Sequence, residues 1–222
     1  NEYGLGVTMS AGVPGSQPQA EGLKFWAAIR TLLDCCKTVD EALKLLDGMP
    51  MSFNWNLIMA DRTGEAALVE IACRNRAVKR INSTTADQYV CATNQYTLPE
   101  MLQHDTNRMR QSVDRYHAIR RAVDASAPQV SRETIRKVLE AKVPEGLCCH
   151  YYKEWLGTLW SMIFDVTDGS VEICFGSPQA NPWRQFDLTG APGVTPYKAI
   201  LPNEKVAEPQ EFFARLQPGE GI

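Results

Sequence analysis

The most constraining feature of the sequence is a pair of hairpin patterns built from apolar runs that do not alternate. Residues 56–71 and residues 158–175 each contain two such runs, joined by turns with a glycine at Gly64 and Gly169. Glycine supplies the positive φ that tight hairpin turns require. A strand exposed on one side alternates between apolar and polar residues, and these runs do not. We therefore expect two sheets covered on both faces, by helices on one side and by a second sheet on the other.

Helical patterns precede and separate the two hairpins. Thr38 and Glu41 form a capping box, and Ser131 is a second N-cap. An Arg-rich face that includes Arg108 is expected to be a solvated helix surface. The predicted helices cover residues 23–36, 38–48, 107–124 and 131–143, with a short helix near residues 211–216.

Composition excludes several classes of function. The chain has 222 residues and a formal net charge of -3, and its Lys and Arg residues are spread along the sequence, so no nucleic-acid partner is expected. No apolar run is long enough to span a bilayer. The seven cysteines include two adjacent pairs and no C-x-x-C spacing, which favours reduced thiols in a cytoplasmic protein over a zinc site.

The stretch from residue 88 to residue 97 carries the main candidate for chemistry. Residues 88–92 have the composition of a strand that ends at Thr93 and Asn94. An asparagine at this position is held on a rigid element, and its amide can donate two hydrogen bonds to an oxyanion. The alternative is that Asn94 only caps a turn.

Other reactive side chains have simpler explanations. Cys148, Cys149 and His150 are adjacent, but sequence neighbours point apart and no acidic residue orients the ring, so thiol catalysis is not favoured. His104 and His117 are expected in a loop and on a helix surface. Cys91, Trp155 and Trp160 are expected to be packing residues, although the two tryptophans fit an apolar acyl pocket.

Several fragments, taken in order, resemble a known family. They are Asn1-Glu2-Tyr3-Gly4-Leu5, the hairpin with its Asp-x-x-Gly turn, Ala92-Thr93-Asn94, Ser112-Val113-Asp114-Arg115-Tyr116, Thr158-Leu159-Trp160-Ser161 and Phe175-Gly176-Ser177-Pro178. This order is similar to that of the linear-amide C–N hydrolases, which include choloylglycine hydrolase and penicillin V acylase. The last two fragments look closest to the related acyl-coenzyme A:6-aminopenicillanic acid acyltransferases.

The resemblance implies a fold and a mechanism. It implies an α+β fold of the N-terminal-nucleophile type, a four-layer αββα sandwich over residues 1–188. The frequent Pro and Gly residues from Gly176 onward separately indicate an extended tail over residues 189–222. It implies an N-terminal cysteine whose α-amino group is the general base for attack on an acyl amide or acyl thioester, without a cofactor. Asn94 matches the family's oxyanion asparagine, and Arg115 matches an arginine whose charge favours the thiolate.

The sequence also departs from the family pattern. The family's nucleophilic cysteine lies upstream of the N-E-x-G-L strand, Asn1 is not a nucleophile, and Ala11 stands where choloylglycine hydrolases have a further asparagine. We therefore expect the larger, C-terminal part of such an enzyme, incomplete at its N-terminus. It would form a homo-oligomer or associate with a complementing N-terminal segment. The alternative is a non-catalytic remnant of the same fold that binds a ligand or a partner.

Overall fold

The computed structural model describes residues 1–13, 21–187, 190 and 193–222, and these form two compact units. The first contains Asn1–Val113, residues 166–168 and Arg215–Ile222; the second contains Asp114–Asp165 and Gly169–Ala214. Each unit combines helices with an antiparallel sheet, so the chain has the predicted α+β fold. The predicted boundary after residue 188 lies outside the described residues, and the four-layer order stays a prediction.

The first unit is built on a four-stranded antiparallel meander. Its strands are β1 (Gly6–Ala11), β2 (Asn54–Ala60), β3 (Ala66–Ala72) and β4 (Asn75–Ile81), paired in chain order. This confirms the first predicted hairpin. Gly64 has a φ of +89° in the turn between β2 and β3, a conformation that side chains with a Cβ rarely adopt.

Two helices, α1 (Phe25–Cys35) and α2 (Val39–Asp47), cover one face of this sheet. The Thr38 side chain accepts a hydrogen bond from the backbone N–H of Glu41 at 3.2 Å, which satisfies one of the N–H groups at the start of α2. The core between helices and sheet contains apolar side chains from both, among them Ala28, Leu32, Ala42, Leu46, Leu57, Met59, Val69 and Ile71.

Asn1 has a structural function in the first unit. Its carboxamide nitrogen donates to the backbone carbonyls of Leu33 and Cys36 at 2.8 Å each, at the C-terminal end of α1. Its carboxamide oxygen accepts from the backbone N–H of Leu5 at 3.0 Å. The first residue of the N-E-x-G-L fragment therefore ties β1 to the end of α1, where carbonyls lack partners within the helix.

The segment that follows β4 departs from the prediction. Residues 88–97 lie entirely within the described part of the chain and form no strand, so the strand expected at residues 88–92 is wrong. Immediately after residues 88–92, side chains of the first sheet bind the backbone at Thr93. Ser10 Oγ donates to the carbonyl of Thr93 at 2.6 Å, and Asn56 Nδ2 donates to the same carbonyl at 2.8 Å.

Helix α3 (Arg110–Ser126) begins later than predicted, and Arg108 is not on a solvated face. Arg108 is fully buried and forms an ion pair with the equally buried Asp105. Its guanidinium also donates to the backbone carbonyls of Tyr96 at 2.7 Å and Glu220 at 2.8 Å. A buried charge is tolerated only when it is paired and hydrogen-bonded in this way.

The second unit is built on a three-stranded antiparallel sheet of β7 (Trp160–Asp165), β8 (Ser170–Phe175) and β9 (Trp183–Asp187). This confirms the second predicted hairpin. Helix α4 (Arg132–Glu140), which contacts β7, begins after Ser131, whose hydroxyl accepts from a backbone N–H as predicted. The unit also contains two short strands and a short helix: β5 (His150–Tyr151), β6 (Leu156–Gly157) and α5 (Pro209–Phe212).

One face of this second sheet is apolar and exposed along β7, contrary to the prediction that both faces are covered, although Tyr197 stacks against Phe175 on the same face. β7 is an edge strand of its sheet, and Trp160, Met162 and Phe164 along it are 58%, 40% and 47% exposed. The other face is more polar, and it carries Glu172, which forms ion pairs with arginines of α4. Apolar side chains at alternate positions of one strand share a face, so these three residues form one uncovered patch.

Candidate active site

Asn94 lies in the first unit with its carboxamide fixed in orientation. The side chain is half-buried, and Nδ2 donates to the backbone carbonyl of Ala11 at 3.0 Å, at the end of β1. The backbone N–H of Asn94 donates to Ser112 Oγ at 2.8 Å. A donor held in this way keeps its geometry without reorganisation during a reaction.

Ser112 and Thr93 connect the Asn94 segment to α3. Ser112 Oγ donates to Thr93 Oγ1 at 3.1 Å, and Thr93 Oγ1 donates to the backbone carbonyl of Ser112 at 3.0 Å. Both side chains are buried. The first residue of the Ser112–Tyr116 fragment thus holds the backbone of the candidate oxyanion residue.

Arg115 belongs to the second unit, in α3, where it acts electrostatically on Cys149. Burial raises the pKa of the Cys149 thiol to about 11, although the charge of Arg115 lowers it. Burial also lowers the pKa of the Arg115 guanidinium. Because a thiol must ionise to act as a nucleophile, this increase disfavours Cys149 as a nucleophile at neutral pH. The predicted role of Arg115 beside a catalytic cysteine stays a prediction.

The second unit places an acidic residue beside His150, contrary to the prediction. The Nδ1 atom of His150 lies 2.9 Å from Glu204 Oε1, and its Nε2 atom lies 2.5 Å from Ser177 Oγ and 3.3 Å from Cys148 Sγ. A carboxylate only accepts hydrogen bonds, so Nδ1 of His150 carries a hydrogen and donates a hydrogen bond to Glu204. The three groups have the order of a Ser-His-Glu triad.

This cluster is closed, and its acid lies on the C-terminal tail. Ser177 and His150 are buried, and the backbone N–H of Glu204 donates to the His150 carbonyl at 2.8 Å. Nearby, Asn181 exchanges two hydrogen bonds with the backbone of Ile200, which holds the tail beside Ser177. Lifting the tail to admit a substrate would remove Glu204 from His150. The cluster therefore fastens the tail and is not a catalytic triad that opens to substrate.

We expect the Glu204→Gln variant to release the tail for proteolysis. The carboxylate accepts from both His150 and Lys142, and these contacts lower the pKa of Glu204. Removing a half-exposed ion pair such as that between Glu204 and Lys142 should raise the equilibrium constant for local opening of the tail by about two- to fivefold. Tryptic cleavage after Lys198 and Lys205 should accelerate by this factor. The Glu208→Gln variant removes an exposed carboxylate from the same tail and should leave the cleavage rate unchanged; equal acceleration in both would contradict the role of Glu204.

Sequence reasoning missed two buried polar residues of the first sheet, Asn56 and Glu70, although a signal was present. Glu70 is a charge inside an otherwise apolar strand run, and Asn56 is the first residue of the predicted run of residues 56–60, within β2. For Ser177 and Glu204 the sequence carries no comparable signal, because they lie far from His150 along the chain.

Comparison with known proteins defines the class. Residues 1–180 match the sequence profile of a family of N-terminal-nucleophile linear amide hydrolases. The chain belongs to this family, described as acyl-coenzyme A:6-aminopenicillanic acid acyl-transferase, whose relatives include choloylglycine hydrolase and penicillin V acylase. Among curated proteins, none matches the sequence. The predicted family is thus confirmed.

Two solved structures are similar to this chain over most of its length. A mutant of the conjugated bile acid hydrolase from Clostridium perfringens has a TM-score of 0.49 and 10% identity, over 93% of this chain and 78% of that one. Penicillin V acylase from Agrobacterium tumefaciens has a TM-score of 0.47 and 16% identity, over 98% of this chain and 76% of that one. In the described residues of this chain, no helix is both long and apolar enough to cross a membrane.

Proposed function

We propose that this chain is the larger part of an enzyme that hydrolyses or transfers the acyl group of a linear acyl amide or acyl thioester. The nucleophilic cysteine comes from a segment outside these 222 residues, Asn94 is the oxyanion donor, and Arg115 favours the thiolate. The observation that carries the proposal is the fixed Asn94 carboxamide, held through Ala11 and Ser112. Preorganised donors of this kind contribute the largest single effect in many acyl transfers.

The reaction proceeds in two steps. The α-amino group of the N-terminal cysteine takes the thiol proton, and the sulfur forms a bond to the carbonyl carbon. The carbonyl oxygen becomes an oxyanion that accepts a hydrogen bond from Asn94. When the oxyanion collapses, the C–N or C–S bond of the substrate breaks and the leaving group takes the proton. Water or an amine then gives a proton to the α-amino group and attacks the acyl-cysteine; the acyl–sulfur bond breaks, and the released thiolate takes that proton.

The uncovered patch formed by Trp160, Met162 and Phe164 supports the need for a complementing segment. Among the described residues, β7 pairs with β8 on one side and no strand lies along its other edge. Edge strands of this kind take up further strands, and an exposed apolar patch beside an open edge is typical of an interaction surface. A segment that adds a strand to β7 would pair this edge, and a further part of that segment would have to pack on the sheet face to cover the patch. The four-layer αββα order is part of the same proposal.

The test is reconstitution with the polypeptide encoded immediately upstream of Asn1. Turnover is measured with penicillin V, a conjugated bile acid, and an acyl-coenzyme A thioester offered with 6-aminopenicillanic acid. We expect the two polypeptides together to convert at least one of these substrates, and this chain alone to convert none. Assembly without turnover would favour the alternative of a binding domain, self-association alone would favour a homo-oligomer, and turnover by this chain alone would contradict an external nucleophile.

A further inference from the structure

Three polar side chains form a row across the sheet of the first unit. Ser10 in β1 lies opposite Asn56 in β2, and Asn56 lies opposite Glu70 in β3. Residues paired across antiparallel strands point to the same face. The helix-covered core contains the alternate residues Trp55, Leu57 and Met59 of β2, so the row lies on the opposite face. We call these three residues the polar row.

The β1 and β2 members of the polar row bind backbone carbonyls on both sides of Asn94. Ser10 Oγ donates to the Thr93 carbonyl at 2.6 Å. Asn56 Nδ2 donates to the Thr93 carbonyl at 2.8 Å and to the Gln95 carbonyl at 3.0 Å. The residue between these carbonyls is Asn94, so the backbone is held immediately before and after it.

The β3 member, Glu70, binds the end of the same segment as an acceptor, whereas Ser10 and Asn56 bind it as donors. Glu70 Oε1 accepts from the backbone N–H of Thr97 at 2.7 Å and from Thr97 Oγ1 at 2.8 Å, and Glu70 Oε2 accepts from the backbone N–H of Leu98 at 3.1 Å. Glu70 is fully buried. Burying a carboxylate is costly unless hydrogen bonds compensate, and the hydrogen-bond partners of Glu70 in the described part of the chain, Thr97 and Leu98, belong to this one segment.

We propose that Ser10, Asn56 and Glu70 are positioning residues that set the orientation of the Asn94 carboxamide. No strand among the described residues pairs with the segment of residues 93–98, and side chains supply the hydrogen bonds that a sheet ladder would otherwise provide. Donors from β1 and β2 bind its carbonyls, and the acceptor from β3 binds its N–H groups. None of the three takes part in bond making or breaking. The consequence for catalysis rests on the proposed function, whereas the positioning itself does not.

Amide hydrogen exchange on the chain by itself tests the positioning. In Glu70→Gln, we expect the protection factors of the Thr97 and Leu98 amides to fall by about tenfold or more, because an amide group cannot accept all three hydrogen bonds. In Ser10→Ala, a milder change, we expect the protection of the Asn94 amide to fall by about three- to tenfold. Amides in the centre of β2 and β3 should keep their protection in both variants.

The matched control is Asp61→Asn. Asp61 is a buried carboxylate at the end of β2 that also accepts three hydrogen bonds, from the backbone N–H groups of Val39 and Thr63 and from Thr63 Oγ1. This variant should expose the Val39 amide and leave the Thr97 and Leu98 amides unchanged. Unchanged protection in Glu70→Gln, or an equal loss throughout the sheet, would overturn the proposal.

The catalytic consequence is measured in the reconstituted enzyme. Ser10→Ala should lower kcat by about three- to tenfold with little change in KM. The displaced Asn94 donor binds the oxyanion less well, and the oxyanion is absent from the bound substrate. A fall in protection with unchanged kcat would overturn the link to catalysis. If the wild-type assembly is inactive, the proposed function fails, and the exchange measurements still decide whether the polar row positions Asn94.

Discussion

In the reconstituted enzyme, Asn94→Ala is expected to lower kcat by about 10²–10³-fold, with a much smaller change in KM. The reason is that the oxyanion exists only in the transition state and the intermediate, so substrate binding does not need this donor. The variant also loses the hydrogen bond to the Ala11 carbonyl, which should cost about 0.5–1.5 kcal/mol of unfolding free energy. Steady-state kinetics and denaturant unfolding separate the two effects.

A matched control for this experiment is Asn75→Ala, which truncates an exposed asparagine in the same unit. It should leave kcat and KM at their wild-type values. If Asn94→Ala unfolds the chain while the remaining folded molecules keep full activity, Asn94 is only a turn residue. The oxyanion donor must then be another residue, and the resemblance fails at its most important position.

Stability is expected to fall as the pH rises from about 4.5 to about 7, because of Glu70. Burial raises the pKa of this carboxyl from 4.5 to about 7, and the hydrogen bonds from Leu98 and Thr97 oppose the increase only in part. Between these two pKa values the folded chain binds more protons than the unfolded chain, so raising the pH lowers the free energy of unfolding. The full difference is roughly 3 kcal/mol, at about 1.4 kcal/mol for each unit of pKa.

The measurement is urea unfolding at several pH values between 4 and 8, for the wild type and Glu70→Gln. The variant should lose the roughly 3 kcal/mol decrease that Glu70 contributes. A smaller slope of the same sign should remain, since burial also raises the pKa of Asp105, although the neighbouring Arg108 opposes this. Asp61→Asn shows whether the change is specific to Glu70. Identical slopes in the wild type and Glu70→Gln would refute the assignment.

The local elements of this fold could be predicted from the sequence because neighbouring residues determine them. The first hairpin, with its glycine turn, and the helix starts at Thr38 and Ser131 lie where the patterns place them. Each depends on contacts within a few residues, or on the period of apolar side chains along one element. The motif order that indicated the family is also a property of the sequence alone.

The sequence indicated Asn94 as a candidate but not what holds it. The strand expected at residues 88–92 is not formed, and the backbone just after it is held by hydrogen bonds from Ser10 and Asn56 to the Thr93 carbonyl. The charge of Glu70 inside an apolar run was visible, but its partners Thr97 and Leu98 follow 27 and 28 residues later. Polarity alone does not determine which distant backbone groups meet a buried side chain.

Only the tertiary structure decided which polar side chains are buried and which residues, distant in sequence, bind them. Arg108 has the sequence context of a solvated helix residue, and it is buried because Asp105 and the carbonyl of Glu220, 112 residues away, satisfy its charge and its donors. His150 has no acidic neighbour in sequence, and Glu204 reaches it from 54 residues away. The free energy of a buried polar group depends on whether partners surround it, and only the folded chain brings those partners together.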